Sequence, residues 1–285
     1  MKNSRLKTKK ITAIAAALLL SLIPSNSLFA QSDDFGIWTS LEAKKKLTEK
    51  LDVTFEGELR TIDGVQQTDR RSFGIGMSYE IAKWLKAEGG YIYIESYNPL
   101  EKSLKEYVGD DEFGNPVHNY NIDHAYWEQR DRFVFSLTAS HKIGRIKFSL
   151  RERIQYQYTH SALTYEDKYR YTFDMLDPNN PYPILPEDAP NSDAELKDGK
   201  HNTILRTRLT AKWDIKKCKI EPFASVELFT RLDEWCGHDK LRYRVGASYK
   251  IDKDNEVSLY YLFQDNKSSK SPALHAVGVG YSFDL

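Results

Sequence analysis

The sequence predicts an all-β fold: an antiparallel transmembrane β-barrel of about 10–12 strands, with short periplasmic turns and two long extracellular loops. Three observations predict it. Apolar and polar residues alternate along most of the chain after residue 30. The alternating segments mostly run 11–14 residues, longer than the ~5–6 of ordinary globular strands and close to the ~9–11 needed to cross lipid. The connections between them alternate short and long. A soluble sandwich would also use aromatic-rich alternating strands, but shorter ones.

The first 30 residues read as a signal peptide, leaving 31–285 as the barrel domain. Lys2, Arg5, Lys7, Lys9 and Lys10 form a basic start. Ile11 to Ile23 is an apolar run broken by Pro24, and Leu28-Phe29-Ala30 offers a cleavage site before Gln31. That run is shorter than the ~20 residues of a membrane helix. No cysteine follows the cleavage site, so lipoprotein anchoring is not expected. The expected location is the cell outer membrane of a Gram-negative bacterium.

Composition alone does not decide the compartment. Charged residues make up 29% of the chain. A barrel can nevertheless span lipid at low mean hydropathy, because only alternate residues face the membrane. The whole chain is neutral, with 41 basic and 41 acidic residues; without the five basic leader residues the remainder is about −5. A nucleic-acid binder would carry a basic footprint, so none is expected as a partner.

Strands are predicted at 35–47, 50–62, 70–81, 84–95, 130–142, 145–158, 202–215, 219–231, 240–251, 255–265 and 272–284. The pattern is plain in Leu51, Val53, Phe55, Gly57 and Leu59, interleaved with Asp52, Thr54, Glu56, Glu58 and Arg60. Side chains along a strand point to opposite faces in turn, so such a segment has one apolar and one polar face. Short turns are predicted near 48–49, 82–83, 143–144, 216–217 and 252–255. The long links are 96–129 and 159–201, the second holding five of the ten prolines. The last strand ends in Val277, Val279, Tyr281, Phe283 and Leu285, similar to a barrel-assembly signal. Eleven strands is an odd number, and bacterial single-chain barrels normally have an even one. Either the segment from Phe35 is a partial strand or plug, or one strand is missing from this reading, or the first and last strands pair in parallel.

Cys218 and Cys236 are predicted not to bridge. An extended strand of ~13 residues would hold them ~40 Å apart, whereas a disulfide needs Cα atoms within about 7 Å.

The apolar face carries an expected aromatic girdle: Tyr79, Tyr91, Tyr93, Tyr156, Tyr158, Trp213, Tyr243, Tyr249, Tyr261 and Tyr281. The opposite face is charged and would line the lumen. Its candidate network is Glu56, Glu58, Arg60, Glu88, Arg132, Arg151, Arg153, Arg206, Arg208, Glu227, Arg242 and Arg244. Isolated charges in a dry interior are costly, so pairing and a narrow or closed lumen are expected. Arg-X-Arg steps recur at Arg130/Arg132, Arg151/Arg153, Arg206/Arg208 and Arg242/Arg244. The alternative function is a porin-like track for acidic small solutes.

An outer-membrane lipid-modifying enzyme is the third class. His141 lies on the apolar face, but the adjacent Ser140 points the other way, so the two cannot form a nucleophile–base pair. His275 is another outward histidine. No catalytic, cofactor or metal residues are nominated. Acidic runs in the long links, such as Asp110-Asp111-Glu112, lack the spacing of a calcium loop. Expected partners are outer-membrane lipid, lipopolysaccharide and the barrel-assembly machinery.

Several segments carry a family resemblance: Phe35-Gly36-Ile37-Trp38-Thr39, Glu56-Gly57-Glu58-Leu59-Arg60, Leu205-Arg206-Thr207-Arg208-Leu209, Glu221 to Glu227, Arg242-Tyr243-Arg244-Val245-Gly246 and Tyr260-Tyr261. Together they resemble the bacterial domain of unknown function 2490 family, over nearly the whole chain after the leader and outside the long links. The resemblance implies an outer-membrane barrel and supplies no catalytic or binding residues.

Overall fold

The computed structural model describes residues 34–110, 114–173, 181–184, 192–233, 238–266 and 273–285. The predicted leader and Cys236 lie outside them; Cys218 is exposed and free. Eleven strands close into a barrel. They are β1 (Asp34–Lys46), β2 (Leu51–Ile62), β3 (Gln67–Ala82), β4 (Leu85–Asn98), β7 (Tyr126–Ile143), β8 (Ile146–Thr159), β12 (Lys200–Trp213), β13 (Ile220–Arg231), β14 (His238–Lys250), β15 (Asn255–Asn266) and β16 (Leu274–Asp284). Five further strands lie in the two long links: β5 (Glu101–Asp110), β6 (Pro116–Asp123), β9 (Ala162–Phe173), β10 (Pro181–Ile184) and β11 (Ser192–Lys197).

The odd count is resolved by the closing pair. When every successive barrel strand reverses direction, an odd number leaves the first and last running the same way. β1 and β16 accordingly pair in parallel, from Asp34↔Leu274 to Lys44↔Asp284. The segment from Phe35 is therefore a full barrel strand, and of the three alternatives the parallel pairing of first and last strands is the one found. Every other barrel seam is antiparallel.

Hydrogen bonds define the short-turn rim. Thr48 Oγ1 accepts from the backbone N–H of Lys50 and Leu51. Gly144, between β7 and β8, adopts φ 60°, a left-handed conformation that glycine takes without a Cβ clash. In the 251–254 turn, the Asp252 carboxylate accepts from Asn255 Nδ2 at 2.8 Å and from the Asp254 N–H at 2.9 Å. Those two bonds hold its pKa below the usual carboxylate range.

The two faces of the wall differ sharply. Outward residues are large, apolar and open to the surroundings: Phe73 is 67% exposed, Val245 58% and Phe133 54%. The aromatic residues expected on that face are on it. Charged outward residues interrupt this wall: Glu152, in the middle of β8, accepts a hydrogen bond from Thr207 Oγ1 at 2.8 Å, and Arg71, Glu95 and Asp131 lie toward the long-link rim. Inward residues are polar but screened, and they include an apolar cluster at the seam formed by Trp38, Leu262 and Ala276, with Tyr260 and Leu274 against it.

Cross-strand register explains the fit of that cluster. Phe223, Gly246, Tyr260, Gly278, Trp38 and Arg60 are successive partners from β13 round to β2. Large and small residues alternate from Phe223 to Trp38, and Arg60 then lies over the Trp38 ring. A Cβ on Gly278 would fall 1.9 Å from Tyr260 Cζ, so the tyrosine ring lies across the glycine.

The long links are not irregular loops where they are described. Their strands form a second sheet in the order β10-β9-β6-β5, with β11 also paired to β9. β6 and β9 join the two links: the Tyr120 and Tyr169 rings stack at 4.5 Å, and His124 Nε2 lies 2.8 Å from Asp167 Oδ2. Several link acids are thus engaged within this sheet. Asp111, Glu112, Asp174, Asp177, Glu187 and Asp188 lie outside the described residues.

Candidate functional site

Glu227 is the centre of the barrel interior. It points inward from β13 and is 1% exposed. Register places Arg208 and Arg242 directly beside it on β12 and β14, and Arg151 beside Arg208 on β8. One carboxylate therefore faces a row of guanidiniums. Oε1 accepts from Arg151 at 3.0 Å and from Arg206 at 2.9 Å; Oε2 accepts from Arg208 at 3.0 Å and lies 3.7 Å from Arg242. Like charges directly opposite one another destabilise a sheet. Glu227 offsets that repulsion for the Arg151/Arg208 pair.

Aromatic rings complete the cluster. Phe229 lies beneath Arg206 and Arg242, at 4.6 and 4.8 Å from its ring centre. Trp38 on β1 takes Arg60 at 3.8 Å and Arg242 at 4.9 Å. β14 is separated from β1 by two strands, so the Arg242–Trp38 contact spans the interior instead of joining neighbours.

The remaining sequence-predicted residues fall into smaller groups. Glu58 pairs with Arg60 at 2.6 Å. Glu88 holds Lys86 at 2.9 Å and approaches Arg153 at 3.8 Å. Arg132 donates to Gln157 at 2.6 Å. Glu56 lies against Gly74, and neither it nor Arg244 joins an ion pair among the described residues. The expected single network is therefore a cluster around Glu227 with separate pairs beside it.

Sequence reasoning missed Trp38, Phe229 and three inward amides. Gln155 accepts from Arg206 at 3.2 Å, and Gln264 accepts from Arg242 at 2.6 Å, as Gln157 does from Arg132. Strand parity carried the signal for all of them, since each sits on the charged face.

Two cavities occupy the interior. One of about 450 Å³ lies toward the long-link rim, where Asp34, Arg130, Arg231 and Lys240 line it. The other, about 480 Å³, lies toward the short turns, with Glu42, Lys44 and Lys86 in its wall. Arg60, Arg70, Arg132, Arg206 and Arg242 line both. The partition between the cavities is thus largely guanidinium. Among the described residues no His/Cys/Asp/Glu cluster has metal-binding geometry. His141 is exposed on the outer face, and His275 contacts the Tyr261 hydroxyl.

A family model described as protein of unknown function (DUF2490) matches residues 35–274. The chain belongs to that family. The match runs from the start of β1 to the start of β16, so the DUF2490 region holds the Glu227 cluster and both cavities. No curated protein matches the chain. Among solved structures, the β-domain of the Bordetella autotransporter Brka is similar over 87% of the DUF2490 chain and 95% of its own, at 11% identity and a TM-score of 0.37.

Proposed function

We propose that the protein is an outer-membrane β-barrel with a structural or surface-interaction role, its lumen closed at mid-height by the Glu227 cluster. The observation that carries the membrane part is the outward wall. Phe55, Phe73, Ile75, Met77, Phe133 and Phe135 are each at least 47% exposed. A continuous apolar surface of this kind would drive aggregation in water and is matched by lipid. Supporting closure is the burial of wall residues inside an eleven-strand ring: Trp38, Glu227 and Arg242 are 1–6% exposed.

The long-link sheet supplies a folded platform at one rim, which suits a surface-contact role. A narrow channel for acidic solutes would use the same arginines. It would need a continuous passage between the two cavities, past the Arg206 and Arg242 side chains held by Glu227 and Phe229. Lipopolysaccharide, membrane lipid and the assembly machinery remain the proposed partners.

Cell fractionation tests the membrane assignment. The chain is expected to sediment with outer membranes and to migrate faster unheated than boiled on gels. Recovery in the soluble periplasmic fraction would overturn the proposal.

A further inference from the structure

The cavity toward the short turns carries more positive charge than its surroundings neutralise. Eleven arginine and lysine side chains line it, against four glutamates. Glu227 lies behind the arginines, and Asp52 holds Lys44 at 3.0 Å. Crediting both, and Asp69 beside Arg70, still leaves a surplus of four positive charges. A charge withdrawn from water costs several kcal/mol unless it is paired, so this surplus calls for counter-charge within the cavity.

The unmade hydrogen bonds lie in the same place. The Nε–H groups of Arg151, Arg153, Arg208 and Arg244 are buried, with no hydrogen-bond acceptor. All four side chains line this cavity. Arg151 and Arg208 spend a terminal nitrogen on Glu227 and keep Nε free. Arg244 has the weakest compensation, a Tyr260 ring at 5.4 Å. Buried donors without partners are rare, and a cluster of four needs a physical reason.

We infer that this cavity is a binding site for a small multivalent oxyanion of the phosphate class. A guanidinium presents Nε–H and a terminal N–H as a fork that fits two oxygens of one anion. Arg153 and Arg244 bring such forks from two strands, and Arg208, whose terminal nitrogen is held by Glu227, adds its Nε–H from a third. Each phosphate group carries about 1.5 to 2 negative charges near neutral pH, so two linked groups meet most of the surplus. The volume of about 480 Å³ falls within the range of small-ligand sites, roughly 300–1,000 Å³. The inference rests on the reading of the lumen as interrupted at Glu227, which keeps the cavity from being a section of an open pore.

Calorimetric titration of the refolded full chain in detergent with sodium pyrophosphate, at constant ionic strength, tests it. Saturable binding near one per chain is expected, weakened at least tenfold by Arg244→Gln and by Arg153→Gln. Arg130→Gln, which alters only the other cavity, should bind as wild type does. Without pyrophosphate, Arg244→Gln should unfold at a temperature no lower than wild type, because it removes an unpaired charge. If Arg244→Gln fails to fold, Arg153→Gln decides. Absence of binding by folded wild type, or undiminished binding by the folded variants, overturns the inference. Bilayer conductance read on the same preparations separates the two claims: a conducting wild type refutes closure, whereas a sealed wild type blind to pyrophosphate refutes the site alone.

Discussion

Glu227 is a single carboxylate held by Arg151, Arg206, Arg208 and Arg242. Removing one member of a buried ionic cluster strands the rest, typically at about 3–5 kcal/mol. Glu227→Leu is therefore expected to lower the unfolding free energy by that amount, read as a lower urea midpoint, and to reduce the heat-modifiable folded fraction. An unchanged midpoint would mean the arginines are solvated without it. Gly278 makes a second residue-level prediction. Its space is filled by the Tyr260 ring, so Gly278→Ala should destabilise by about 1–3 kcal/mol through overpacking. Tyr260→Ala should relieve that penalty, and a double-mutant cycle would read the coupling. Additive effects would show that the two residues do not meet. The charged members of the interior were legible because arginine and glutamate at alternate positions mark a polar face. Trp38 and Phe229 were not, because aromatic side chains read first as lipid-facing. Only the register shows that Gly278 and the guanidiniums make room for rings inside.

At the scale of elements, the eleven barrel strands were legible to within a few residues from two-residue periodicity. Their closure was not, because alternation says nothing about which edges meet. The parallel β1–β16 seam predicts a specific cross-link. Thr39 and Val279 are register partners on the outer face, and neighbouring strands lie about 4.7–4.9 Å apart, within disulfide reach. In a chain with Cys218 and Cys236 replaced by serine, Thr39→Cys and Val279→Cys should oxidise to a bond that joins the two ends after proteolysis. No joined fragment would place the Phe35 segment elsewhere. The strands in the long links escaped sequence reading for other reasons. β5 (EKSLKEYVGD) carries charge on both faces and so lacks the one-sided pattern that marks a wall strand. β9 (ALTYEDKYRYTF) does alternate, with Leu163, Tyr165 and Tyr169 against Thr164, Glu166, Lys168 and Arg170, but it lies inside the proline-rich link and reads as part of it.

For the whole molecule, an apolar exterior and a charged interior invert the arrangement of a soluble protein. That inversion predicts where charge is tolerated. Ile75→Arg places a cation on the outer wall and should destabilise the barrel by about 2–4 kcal/mol in lipid vesicles if Ile75 lies near the bilayer midplane, measured by urea unfolding. A negligible effect would argue against lipid contact there. The central claim is that this barrel is sealed from within by the Glu227 cluster. Single-channel recording on the refolded chain in planar bilayers tests it most directly, with insertion verified by its heat-modifiable mobility from the same membranes. The wild type should stay at the conductance of a bare bilayer, and combined Glu227→Ala and Arg206→Ala substitution should open measurable steps. Stable conducting steps in the wild type would contradict the claim.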